Sequence, residues 1–144
     1  MTTLNFPANW KKCTTTNMTA THCFEMSDIS DSSSRILLTI SPFYGYDRNY
    51  TLNDLARKLA GQIDEEKGNI VEENVKLQYI QGLYGNGVFF TATDKNYDSQ
   101  KDDYPFMMRC CYISNRYVVE ITILCQSKNS NVITQIFEWM RTLQ

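Results

Sequence analysis

With 144 residues, a net charge of −2 and a pI near 5.4, the chain has no overall basic character, which argues against nucleic acid or an anionic membrane as its partner. Its 42% hydrophobic and 21% charged residues exclude a disordered chain, and its length suits one domain, 1–144, with its own core. No apolar run reaches the ~18–20 residues that cross a bilayer, so no transmembrane segment is expected.

The opening Met1-Thr-Thr-Leu-Asn5 has neither the basic start nor the apolar stretch of a secretory leader. The expected location is the periplasm or cell envelope if a leader has been removed, and the cytoplasm otherwise. Asn9 to Thr14 and His22 to Met26 read as a hairpin joined by a wide turn. Pairing symmetric about Met18 sets Cys13 directly opposite Cys23, with Cβ atoms ~4.5–5.5 Å apart, close to what a disulfide accepts. Such a bridge implies an oxidising compartment. Two small buried thiols are the other reading.

Ser27 to Ser34 reads as a Ser/Asp loop, and Arg35 to Ser41 as a strand stopped by Pro42. The connection that follows, Phe43-Tyr-Gly-Tyr-Asp-Arg-Asn-Tyr50, is unusually aromatic. Thr51 and Asp54 have the spacing of a capping box. Leu52, Leu55, Ala56, Leu59, Ala60 and Ile63 then recur at steps of three and four, the stripe of an amphipathic helix. Glu65-Glu-Lys-Gly68 closes that helix, with Gly68 suited to a left-handed cap.

Asn69 to Gln81 reads as one strand with an irregular start, and Gly82 to Gly87 as a turn. Gly87 to Asp94 is strand-like and Asp94 to Tyr104 is a polar loop. Phe106–Ile113 and Tyr117–Cys125 form a hairpin about Asn115 and Arg116, which places Cys125 opposite Phe106. That offset argues against a bridge between Cys110 and Cys125. A second helix starts at Ser130 or Asn131, with Val132, Ile133, Ile136, Phe137 and Met140 on one side. The expected fold is α+β: a largely antiparallel sheet of about six strands covered by helices on both faces.

Reactive chemistry is scarce. The one histidine, His22, adjoins Cys23, and strand neighbours point to opposite faces, so they make no nucleophile–base pair. No catalytic, dinucleotide or Walker motif is present, and the cysteines lack zinc spacing. Neither a cofactor nor a catalytic residue is expected. Asp94, Asn96 and Asp98 begin like a calcium loop, but Ser99 replaces its turning glycine and Pro105 its bidentate glutamate. A solvated polar loop is the simpler reading.

For binding, Phe43, Tyr44, Tyr46, Arg48 and Tyr50 offer the Tyr/Arg chemistry of protein-binding hot spots, or else fold back over the sheet. Tyr84, Tyr97 and Tyr104 are expected to extend that surface. The acidic loop suits a basic partner.

The order of elements resembles the PsbP-like superfamily, with its Ran-binding Mog and bacterial DcrB-like lipoprotein relatives. The likeness rests on Phe6-Pro-Ala-Asn-Trp10, the strand Arg35–Ser41 before Pro42, and the helix after Thr51. It continues through Gly87–Lys95 with its Thr91-Ala-Thr-Asp-Lys95 ending, Ile121–Leu124 and the final helix. It implies an α/β/α sandwich and a non-catalytic protein-binding role. The most concrete version is an immunity protein that neutralises a secreted antibacterial toxin in the cell envelope. The alternative is a chaperone or assembly factor that loads an effector or complex subunit. An enzyme would need Cys111 or Cys125 as an exposed, acidified nucleophile.

Overall fold

The computed structural model describes residues 10–18, 21–28, 31–42, 51–101, 104–115, 117–126 and 131–143, with side chains described from residue 51 onward, Val132 excepted. The strands are β1 (Trp10–Met18), β2 (Thr21–Asp28), β3 (Asp31–Pro42), β4 (Gln78–Gln81), β5 (Gly85–Thr93), β6 (Phe106–Ser114) and β7 (Tyr117–Cys125). The helices are α1 (Leu52–Glu66), between β3 and β4, and α2 (Asn131–Arg141), after β7. All seven strands join one antiparallel sheet in the order β1-β2-β3-β7-β6-β5-β4, one more strand than the sequence predicts. The fold is α+β.

Several boundaries differ from the sequence expectation. Met18 of β1 pairs with Thr21 of β2, and β3 begins at Asp31, so most of the expected Ser/Asp loop is strand. Ser34 is held in β3 by its pairing with Cys125 of β7, which outweighs its weak local preference, and Asp31 pairs with Asp28 across an irregularity in the β2 register. The first register also differs from the expected one: Thr16, not Cys13, lies opposite Cys23, and Cys13 falls at a bulge between Lys12 and Thr14. An offset of three residues is ~10 Å along a strand, beyond the reach of a disulfide. The opposed geometry that motivated a Cys13–Cys23 bridge is therefore absent, while both side chains lie outside the described residues.

α1 has the capping box that its sequence promises. The Asp54 amide donates to the Thr51 hydroxyl at 3.3 Å, and the Thr51 amide donates to the Asp54 carboxylate at 2.8 Å. The Thr51 amide, and the Thr51 hydroxyl that also donates to the carboxylate at 2.9 Å, hold the Asp54 carboxyl below its ordinary range. The helix ends differently from expectation: Lys67 is right-handed, and a turn closes from the Asn69 amide to the Glu66 carbonyl at 2.8 Å. Gly68 is not a left-handed cap.

Two core clusters form. Leu55 and Leu59 of α1 pack with Val88, Phe90 and Ala92 of β5 and Cys111 of β6. Ile136, Trp139 and Met140 of α2 pack with Met108, Cys110 and Tyr112 of β6 and with Val119, Ile121 and Ile123 of β7. Along β6 the two memberships alternate residue by residue, as side chains of a strand do. Trp139 and Leu143 belong to the α2 core and extend the apolar stripe that the sequence shows. A Lys58–Glu120 ion pair and an Arg109–Gln62 hydrogen bond of 3.3 Å tie α1 laterally to the sheet.

Candidate functional site

The edge of the sheet formed by residues 70–84 is built unlike a regular strand. The Val71 amide donates to the Thr93 carbonyl at 3.0 Å, and Ile70 bridges Asp94. Further along, Gln78 pairs with Phe89 and Gln81 with Asn86. The first pairing has a residue sum of 164 and the second 167, so three extra residues bulge out between them. Glu72 fills part of the break: its carboxylate accepts from the Thr93 amide at 2.8 Å and the Thr93 hydroxyl at 2.5 Å. Thr91 lies opposite the bulge, exposed, and among the described residues no strand pairs with it on that side.

The hairpin from β4 to β5 fixes which main-chain groups face outward. The Gly82 amide donates to the Gly85 carbonyl at 2.9 Å, so Gly82 and Gly85 form a hydrogen-bonded pair. Antiparallel pairs alternate, so Ile80 and Gln78 also point their main-chain groups at β5. Tyr79 and Gln81 then point theirs away, toward the open edge. Within residues 71–84 stand four exposed large apolar side chains: Val71 at 58%, Tyr79 at 62%, Leu83 at 76% and Tyr84 at 43%. The turn they end in is anchored, because the Leu83 amide donates to the Arg141 carbonyl at 3.1 Å at the end of α2.

Two small pockets lie at the far end of β5. One, about 200 Å³, is lined by Thr91, Thr93, Met108, Cys125 and Ile133, with Glu72 among its walls. The other, about 240 Å³, is lined by Ile70, Ala92, Met107 and Leu124, with Glu66 and Asp94. Both are below the ~300–1,000 Å³ of a typical ligand cleft and match single side chains instead.

The residues singled out from sequence scatter. Phe43, Tyr44, Tyr46, Arg48 and Tyr50 lie outside the described residues. Tyr84 sits on the turn before β5, whereas Tyr97 and Tyr104 are half-buried in the loop after it. Nine strand residues separate them, ~30 Å, so they form no continuous surface. In the acidic loop, Asp94 accepts from the Asn96 amide at 2.8 Å and Asp98 from the Gln100 amide at 2.9 Å, so both carboxylates brace local turns. Among the described residues no three His, Cys, Asp or Glu side chains converge as a metal site.

Cys111 and Cys125 lack the exposure that a nucleophile needs. Cys111 is 2% exposed and Cys125 1% exposed. Burial, with the Glu120 carboxylate nearby, pushes the Cys111 thiol up to about 12, against a small opposing pull from Lys58. Burial raises Cys110 further, and its sulfur lies 3.7 Å from that of Met140.

Sequence reasoning missed the 71–84 edge. Tyr79 and Leu83 were visible as residues, but which strand ends the sheet follows from strand order alone. Compared with family models, with curated proteins and with solved structures, the chain matches none.

Proposed function

We propose that this chain is a non-catalytic protein-binding module that takes its partner along the β4 edge. One observation carries the reading: the four exposed large apolar side chains among the described residues all fall between Val71 and Tyr84. Large apolar side chains left exposed along one edge segment favour an interaction surface, and tyrosine is favoured at binding hot spots. The sizes of the pockets also favour an edge over a cradle for a folded client.

The most concrete version is an envelope immunity protein that covers and neutralises a secreted antibacterial toxin. The alternative is a PsbP/DcrB-like chaperone or assembly factor for an effector or complex subunit. The fold that goes with either is the PsbP-like α/β/α sandwich, its helices covering both faces of the whole sheet. The order of elements and the alternation of the two core clusters support it.

The test is capture from a lysate of the source cells at physiological salt, with wild type beside the double variant Tyr79→Lys/Leu83→Asp. Wild type retains a partner protein and the variant loses it at an unchanged melting temperature. Retention by both moves the site elsewhere; no partner at all removes the reading. Loss of the partner's toxic or catalytic activity on binding separates the immunity version from the chaperone.

A further inference from the structure

The two edges of the sheet are protected unequally. β1, at one end, carries Lys11 and Lys12 and a bulge after Lys12, the devices by which proteins block unwanted strand pairing. β4, at the other end, is Gln78-Tyr-Ile-Gln81, with no charge and no proline. Its length is its one restraint.

We propose that β4 is a strand-addition site: an extended segment of the protein partner pairs with the main chain of Tyr79 and Gln81. This inference rests on the protein-binding reading and specifies its mode. The outward N–H and C=O groups of these two residues supply two donors and two acceptors on one line, two residues apart, as a new strand requires. Tyr79 shares a face with its cross-strand partner Val88, so its exposed ring covers one side of the added strand. Leu83 and Tyr84 meet the strand where it passes the turn.

Charge defines the occupant. Exposed Lys76 precedes β4, and exposed Arg141 holds the turn that follows it. Lys76 thus lies before the uncharged strand, about seven residues or ~24 Å of extended chain from Leu83, whose amide meets the main chain of Arg141. A matching segment is apolar at alternate positions in its middle and carries Asp or Glu at both ends. Exposed Glu73 lies beyond Lys76 and tolerates a basic residue farther out.

The experiment selects binders for the intact chain from displayed random peptides of about twelve residues, enough to span β4 and both flanks at ~3.3 Å each. Amide exchange of the labelled chain is then compared with and without a selected peptide. The peptides are expected to alternate with period two and to have acidic ends. The Tyr79 and Gln81 amides slow at least about tenfold, while Gln78 and Ile80, already bonded to β5, change little. Gln81→Lys abolishes binding, and Lys76→Glu weakens it, at unchanged melting temperature.

Failure to select any peptide, peptides with a helical period, or binding that leaves both amides fast would each overturn the proposal. Slowing of the same amides with protein concentration alone would make a second copy the occupant, and also overturn it. A lysate partner that binds without protecting Tyr79 and Gln81 sinks strand addition while leaving the protein-binding reading intact.

Discussion

Gly82 occupies a position with no room for a side chain. A Cβ there would overlap the Tyr112 hydroxyl and lie 3.2 Å from the Arg141 Cα. Tyr112 is fully buried, and its hydroxyl is the buried side-chain oxygen among the described residues with no hydrogen-bond partner. Burial raises its pKa, with Arg141 opposing. Gly82→Ala should therefore destabilise by ~1–3 kcal/mol, an overpacking effect, and Tyr112→Phe should be near neutral because it removes an unpaired hydroxyl. In a double-mutant cycle followed by urea unfolding, Tyr112→Phe should recover part of the Gly82→Ala loss, and strict additivity would refute the contact. Cys111 gives a second residue-scale prediction. A thiol whose folded pKa is raised stays protonated while the unfolded chain ionises, so its contribution to stability is whole below the unfolded value near 8.5–9 and erodes above it. The loss continues up to about 12 for Cys111. Melting temperature should fall across that window less steeply in Cys111→Ala, and a thiol reagent at pH 8 should label Cys110, Cys111 and Cys125 only after denaturant is added. The hairpin offset read from sequence already argued against a Cys110–Cys125 bridge, but the Tyr112–Gly82 contact joins residues thirty apart and left no local trace.

Elements were legible where their signals are local and obscure where pairing decides. α1 shows in the sequence because a capping box and a stripe at three- and four-residue steps coincide. Thr51→Ala should cost about 1 kcal/mol of stability, measured by urea unfolding, since it frees an amide that the cap satisfies. The contribution of Asp54 to the same cap is present above its unfolded pKa near 4, and it fades as pH falls through the lower folded value. The 70–81 segment misleads because Val71, Val75 and Leu77 alternate like a strand, while the bulge leaves only Gln78–Gln81 regularly paired. Glu72 is the reason the break is stable: its carboxylate replaces the acceptor that a regular ladder would give Thr93. Glu72→Ala should cost ~1.5–3 kcal/mol, as for hydrogen bonds to a charged group, and speed exchange of the Thr93 amide. Glu72→Gln, which keeps one acceptor, should lose less. Equal exchange at Thr93 in all three proteins would show that the carboxylate is not what closes the edge.

At the scale of the molecule, the sheet does two jobs with one set of strands. Successive residues of β6 serve the α1 cluster and the α2 cluster in turn, and the two clusters have no buried member in common. Class and core were readable from sequence because this alternation is written in apolar residues on both parities of β6 and β7. The binding edge was not, because exposure of Tyr79 and Leu83 depends on β4 ending a sheet whose order no local pattern encodes. The division into two clusters has an energetic consequence. Leu59→Ala should cost ~2–5 kcal/mol in the α1 cluster, and Ile136→Val ~0.5–1.5 kcal/mol in the α2 cluster. Sites that share no contact partner combine additively, so the double variant should equal the sum within ~0.5 kcal/mol. Urea unfolding of the four proteins, with unchanged slopes, measures this directly. A coupling above ~1 kcal/mol would mean that strain crosses the sheet through the backbone of β6, and a partner pairing at β4 would then be felt by both helices rather than by the edge alone.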